Sequence, residues 1–465
     1  MSILEQPLDL VGLRSMLTGA VIGPDDSDYD AARTVWNADV DRRPAVVARC
    51  LGPSDVQAAI AFARAQGLEI AVRGGAHSMS GACMVDDGVV IDLSRLNDVT
   101  VDLVARRVRA GGGALLGDVD AATQVHGLAV PAGVVSDTGV AGLTLGGGMG
   151  WLTRQGGLTI DNLVSAEVVT ADGRILRAAE DENPDLFWAL RGGGGNFGVV
   201  TEFEFRLHEV GPMVQLGMLF WELDRGPEVL RLARDVVATL PDDCNLIIAG
   251  LTAPPAPFVP EEHHFAPGYA LLVVGFGDQR SHAAVLEQTR GALTPLFEFA
   301  TPMPFVDLQK MLDDGNQWGQ YCYDKGCYLE ELSDGAIEVI TGQLPQRTSP
   351  LSTLLIYVLD GAYSEVGDDE TAFSGGRSPR LAVFMVGIGS TRGELAPERA
   401  WVRDFWEALR PHTPDIGSYV NAMTEPEQDR LRAAYGPAKY ERLARIKRRY
   451  DPENVFHLNA NIPPA

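Results

Sequence analysis

The sequence predicts an α+β fold in two main parts, and three observations predict it. Glycine clusters stand at Arg73 to Gly81, after a short apolar run, at Gly139 to Gly150 and at Arg191 to Gly198, all within residues 1–211. Past Gly211-Pro212 the pattern changes. Residues 212–414 alternate strand-like apolar runs with amphipathic helical stretches, as an antiparallel sheet backed by helices does. Residues 415–465 then carry two helical stretches and an asparagine-rich ending.

A chain of 465 residues, 46% hydrophobic and 22% charged, has material for two or three domains with large cores. Its net charge of −25 disfavours nucleic acid and anionic membrane surfaces as partners. No run of eighteen apolar residues occurs, and Met1 to Leu17 lacks the apolar core of a signal peptide, so a cytoplasmic location is expected. Five cysteines without a CxxC pair argue against a disulfide framework, and no histidines accompany Cys322 and Cys327, so no metal site is expected. The oligomeric state is not readable from this sequence.

Taken in order, an acidic turn at Asp25 to Tyr29 opens a helix expected to carry Arg33 and Trp36-Asn37 and to end near Pro44. Ala45 to Cys50 reads as a strand. Ser54-Asp55-Val56-Gln57 reads as a capping box for a helix that Gly67 ends. Strands follow at Leu68–Val72 and Val89–Leu93, with a hairpin over Val101 to Ala110 and a helix from Leu115 to Val125. Pro131 to Trp151 holds seven glycines, a density that forms helix or strand poorly and suits backbone laid against a flat or extended ligand. Two strands turn around Asp172-Gly173, and a helix over Pro184 to Leu190 leads to a strand from Val199 to Leu207. In the second part, strands are expected at Val214–Trp221, Asn245–Leu251, Tyr269–Gly275, Thr353–Leu359 and Leu381–Gly387. The helices expected there are Pro227–Thr239, Ser281–Leu293, Asp334–Leu344 and Pro397–Leu409. Two more, Pro426–Tyr435 and Ala438–Tyr450, precede the ending.

The loop Arg73-Gly74-Gly75-Ala76-His77-Ser78 carries the chemistry. Glycines let the backbone approach a ligand, successive N–H groups make an anion site, and Arg73 adds charge beside it. A nicotinamide fold would need G-x-G-x-x-G directly after a strand; Gly146-Gly147-Gly148-Met149-Gly150 has neither that position nor that spacing.

Five segments in this order resemble FAD-linked oxidases of the vanillyl-alcohol-oxidase superfamily, in the berberine-bridge-enzyme-like branch. They are Arg73 to Ser78, Gly139-Val140-Ala141-Gly142 running into Gly146 to Leu152, Gly157 to Asn162, Asn196 to Thr201, and Tyr450 to Phe456 with Asn459-Ala460-Asn461-Ile462. The resemblance implies an FAD-binding domain over 1–211, a substrate domain over 212–414 and a segment over 415–465 that returns to the FAD domain. It implies FAD bonded covalently to His77. The second, cysteinyl link of many relatives would fall at Val135, so a single link is expected. The resemblance puts the pyrophosphate at Arg73, Gly74, Gly75, Ala76, His77 and Ser78, and the ribityl chain and adenosine part along Gly139, Gly142 and Gly147. Val200 and Pro44 would adjoin adenine, and Asn459 and Asn461 the ribityl or pyrimidine side. Thr138 falls where the family places a gate for oxygen. Tyr419 is the candidate base for hydride transfer, with Asn421 beside it, and alternation would put Tyr321 and Tyr323 on one face lining the pocket. The partners implied are a small or medium organic substrate (alcohol, amine, phenolic or polyketide-like) and O2. A dehydrogenase of the same fold and a non-redox flavin-binding or lyase-like protein remain alternatives at this point.

Overall fold

The computed structural model describes residues 8–414, 417–425 and 428–465. Three main sheets organise it. In the first, Val46–Arg49 and Ile70–Arg73 both run parallel to Val89–Asp92, and Ala20–Ile22 adds an antiparallel edge. The central strand is buried throughout, as a parallel sheet covered on both faces requires. The crossover helix Pro53–Gln66 stops at Gly67, whose left-handed φ of 64° an L side chain adopts only with strain. Its start differs from the expected capping box. Gly52 is the cap residue, and the Asp55 carboxylate instead accepts the backbone N–H groups of Thr18, Gly19 and Leu51.

The second sheet is antiparallel, ordered Val99–Asp102, Arg107–Gly111, Val199–Arg206, Leu163–Val169 and Ile175–Ala179. Against it lies the glycine-rich stretch, which holds a short helix, Val140–Gly146, rather than wholly irregular backbone. Val140, Ala141 and Leu145 of that helix are buried in the core, and this packing outweighs the roughly 1 kcal/mol that each helical glycine costs. The early helix is also shorter than expected. Tyr29–Arg33 is helical, Thr34 turns extended, and Trp36 stands free of the helix.

The third sheet has seven antiparallel strands: Phe297–Pro304, Met213–Glu222, Pro267–Gly275, Cys244–Thr252, Thr353–Leu359, Arg380–Gly389 and Tyr321–Leu329. Alternation divides its side chains. Leu246, Ile248, Leu354 and Ile356 pack with the helices Gly226–Val237, Gln279–Ala292, Asp334–Gln343 and Arg392–Leu409, while Ile247, Ala249 and Tyr357 join the opposite core, with Trp151 and Tyr419. The C-terminal span Gln428–Tyr450 is two helices, as expected, separated where Gly436 leaves helical geometry (φ 70°, ψ 159°) before Pro437; Pro426 and the proposed boundary at 415 lie outside the described residues. The tail beyond it is pinned by a fully buried pair. Lys447 Nζ donates to Asp451 Oδ2 at 2.6 Å and to the carbonyls of Asn196 and Phe456, while Asp451 accepts the N–H groups of Val455 and Phe456. None of the described residues forms a helix long and apolar enough to cross a membrane.

Candidate active site

A cavity of about 420 Å³ lies between the glycine loops and the large sheet. The loop after Ile70–Arg73 supplies Gly74 to Ser80, and the stretch before and within Val140–Gly146 supplies Thr138, Gly139 and Gly142. Val200 and Asn459 add to this side. The sheet supplies Leu355, Tyr357, Phe384 and Val386, and Tyr419 and Asn421 arrive on the returning segment. Among the described residues, no Asp, Glu, Lys or Arg lines the space.

The two glycine loops touch backbone to backbone. A Cβ on Gly75 would stand 2.4 Å from both Gly139 N and Gly139 Cα, so neither position admits a side chain. Ala76 takes a left-handed φ of 58°, strain that an L residue bears only where its surroundings fix the loop. Among the described residues, the backbone N–H groups of Gly75, Ala76, His77, Met79 and Ser80 donate to no protein acceptor, while that of Ser78 turns to the Cys83 thiol. Such a row of unpartnered donors beside a cavity without cationic side chains suits a phosphate ester held by backbone dipoles.

Tyr419 Oη accepts two N–H bonds, from Gly148 and from Asn421 Nδ2, each 2.9 Å. Asn421 Nδ2 is also within reach of the Leu143 carbonyl (3.2 Å) and the Gly142 carbonyl (3.4 Å), and its amide occupies the space that a Cβ at Gly146 would fill. Burial pushes the Tyr419 phenol up to about 12, against the two N–H donors. The rings nearest it are Phe373 and Phe384. No cation stands among its described contacts to favour the phenolate, so Tyr419 is a neutral phenol at neutral pH and not the base expected from the sequence.

His77 is held from three sides. Its ring stacks on Trp36 (5.1 Å between centroids, 21°) and meets Trp318 edge-on (5.9 Å, 87°), and its Nε2 lies 3.1 Å from Asp137 Oδ1. Trp318 Nε1 donates to Asp137 Oδ2 at 2.8 Å. Burial raises the Asp137 carboxyl, but the contacts with His77 and Trp318 outweigh it, and the net shift is downward.

The expected site residues divide in two. Gly74, Gly75, Ala76, His77, Ser78, Thr138, Gly139, Gly142, Val200, Tyr419, Asn421 and Asn459 line one cavity, and Val135 lines it as well. Four do not. Arg73 Nη1 donates to the carbonyls of Ala32 and Thr34, so its charge is spent on the neighbouring loop. Pro44 gives its carbonyl to Tyr29 Oη, and Gly147 lies under the Phe373 and Tyr419 rings. Asn461 sits behind the wall, its Oδ1 buried without a partner. Tyr321 and Tyr323 do not line the pocket. They face the helices, where Tyr323 Oη contacts Glu425 and Arg403; alternation gives two faces without saying which one meets the cavity. Sequence reading missed Trp36, Asp137 and Trp318 around His77, and also the buried two-pronged bridge from Arg377 to Asp161 (2.7 and 2.8 Å). That bridge ties the turn after Gly157 to the loop carrying Phe373. Asp161 lies in a family segment, but its partner is 216 residues away and carries no local signal.

A fold of this kind around such a cavity defines an FAD-dependent oxidoreductase. Residues 44–179 match the family model described as FAD binding domain, and residues 418–463 the one described as berberine and berberine like. The (R)-6-hydroxynicotine oxidase of Paenarthrobacter nicotinovorans is 32% identical over 465 residues, covering 96% of this chain and 97% of that protein. The FAD-linked oxidoreductase pgmH of Aspergillus terreus is 39% identical, covering 99% and 97%. The crystal structure of 6-hydroxy-D-nicotine oxidase from Arthrobacter nicotinovorans superposes with a TM-score of 0.85 at 28% identity, over 97% of this chain and 98% of that one. The chain belongs to the berberine-bridge-enzyme-like family of FAD-linked oxidoreductases. The free backbone donors of Gly75, Ala76, His77, Met79 and Ser80 fit the pyrophosphate of FAD, and the Gly75–Gly139 contact holds the two loops that border its site together.

Proposed function

We propose that this protein is an oxidase carrying FAD on His77 and acting on a small, neutral, largely apolar organic molecule such as an alcohol, an amine in its unprotonated form or a phenolic compound. The observation that carries the substrate class is the lining. On the sheet side, Leu355, Tyr357, Phe384 and Val386 offer apolar surface and neither counter-charge nor free backbone donors, so a charged substrate would lose its hydration there without replacement. When bound, FAD supplies the two-electron acceptor: substrate hydride goes to its N5, and O2 removes the electrons as hydrogen peroxide.

The chain's own residues prepare that event. Tyr357 and Phe384 provide flat apolar surface opposite the glycine loops. Tyr419 keeps its phenolic proton and, having both lone pairs occupied by Gly148 and Asn421, donates a hydrogen bond that positions a substrate oxygen or nitrogen, while the proton the substrate loses as its hydride departs goes to solvent water. Asn421 fixes the direction in which the phenol points. His77 would anchor the cofactor, Asn459 would contact it from the tail, and the relative at 32% identity is named an oxidase. The test is a panel of neutral aromatic and alicyclic alcohols and amines, scored by anaerobic bleaching of flavin absorbance and then by reoxidation in aerated buffer. Rapid reoxidation with one peroxide per turnover is expected. Sluggish reoxidation by O2 would favour a dehydrogenase, and flavin that no compound bleaches would favour a non-redox role.

A further inference from the structure

The surroundings of His77 are more elaborate than a loop histidine needs. Three separate parts of the chain converge on its ring. Trp36 stacks on one face and is fixed by its own Nε1 donating to the Asn316 carbonyl at 2.6 Å. Trp318 closes the edge and donates to Asp137 Oδ2, while the Gly319 N–H donates to the Trp36 carbonyl. Asp137 itself is placed by its neighbour: Ser136 donates through N and Oγ to the Asp313 carboxylate, at 2.8 and 2.6 Å. The His77 side chain is 13% exposed, and beyond their mutual contact neither its Nε2 nor Asp137 Oδ1 has a hydrogen-bond partner.

We propose that Asp137 is a positioning residue for attachment of the flavin: its carboxylate fixes the tautomer and direction of the His77 ring and pairs with the positive charge the ring acquires. This rests on the reading of His77 as the attachment point. With Nε2 facing a carboxylate, that nitrogen carries the ring proton, so the lone pair sits on Nδ1 and is free to bond to carbon. Attachment forms one C–N bond to the flavin's 8α carbon. It removes one proton from that methyl group and one from the imidazole, and O2 accepts the two electrons released, with two protons, as hydrogen peroxide. Once Nδ1 is alkylated and before the Nε2 proton leaves, the ring is a cation, and among the described residues Asp137 Oδ1 is the anionic atom that faces it, 3.1 Å from Nε2. Trp36 and Trp318, the other groups packed on the ring, do not titrate. A carboxylate that orients an imidazole through the nitrogen not in use acts as second-layer partners do for metal-binding histidines, where its loss costs roughly ten- to a hundredfold.

The experiment compares full-length wild type with Asp137→Ala, Asp137→Asn, Asp137→Glu and His77→Ala. Two quantities are read for each: total bound flavin, and flavin that stays with acid-precipitated protein. Wild type is expected to keep its flavin and His77→Ala to release all of it. Asp137→Ala should bind FAD yet lose most of the acid-stable fraction, and Asp137→Glu should regain part. In the near-isosteric Asp137→Asn, loaded with FAD and incubated in air, acid-stable flavin should accumulate faster as pH rises, because the ring must then lose its proton without help. Attachment as complete and as fast in Asp137→Ala and Asp137→Asn as in wild type overturns the inference and leaves the tether standing. A loss that glutamate does not restore and pH does not change also overturns it, by making Asp137 merely structural. Wild-type flavin washing free in acid removes both readings.

Discussion

Replacing Tyr419 by Phe removes one oxygen from the centre of the site, and its effects separate into two magnitudes. In the folded protein Asn421 Nδ2 keeps the carbonyls of Gly142 and Leu143 within reach, so only the Gly148 N–H loses its recorded acceptor. One buried donor left without a partner costs about 1–3 kcal/mol. The ring itself stays packed by Phe373 and Phe384, so no cavity opens. The kinetic effect is larger: losing the hydrogen bond that positions the reacting group, a misplacement of about 1 Å, costs roughly a hundredfold. The assay is anaerobic single turnover, following flavin absorbance after mixing with a substrate found by the panel. The rate of flavin reduction should fall about a hundredfold or more, while reoxidation of the reduced variant by O2 stays near wild type. Reduction within about threefold of wild type, in a variant that still melts cooperatively, would refute the role given to the phenol.

Other parts of the structure give further expected outcomes. Lys447→Met leaves the fully buried Asp451 carboxylate uncompensated and should cost about 3–5 kcal/mol in denaturant titration; adding Asp451→Asn should recover part of that loss. Gly139→Ala, whose Cβ would meet Gly75 N at 2.4 Å, should abolish stoichiometric flavin in the purified protein, while Gly291→Ala, with open space around it on an exposed helix, should leave flavin content unchanged. Asp120 is buried against Gln309, and burial raises its carboxyl from 3.8 to about 7. Its folded-state value is the higher one, so its contribution is fullest below the unfolded value and is lost as pH rises through 7, on the order of a few kcal/mol. Asp120→Asn should therefore flatten the fall in Tm between about pH 4 and pH 7, and an unchanged fall would contradict the assignment.

The sequence revealed regular elements well wherever one local signal dominated. Pro184–Leu190 and Thr353–Leu359 stand where periodicity and proline placed them, because neither depends on a distant partner to decide its type. The glycine loops were readable for a related reason, since close backbone approach restricts residue identity at each point of contact. Val140–Gly146 shows the limit: glycine content argued against helix, and burial of Val140, Ala141 and Leu145 decided otherwise. Trp36 was assigned to a helix because nothing local marks Thr34 as its end. The pairing of Asp137 with Trp318 spans 181 residues, and only the docking of the large sheet's connections onto the glycine-rich half creates it. Tyr321 and Tyr323 alternate as expected, yet the face they share is set by which side of the sheet the helices cover.

The most direct test of the account is intact-mass measurement of denatured wild-type protein beside His77→Ala, followed by peptide mapping. The account predicts a wild-type chain heavier by one FAD, less the two hydrogens lost on bonding, with the added mass on the peptide containing His77 and none on the variant. An unmodified wild-type mass from a yellow, fully loaded sample, or the added mass on another residue, would contradict it.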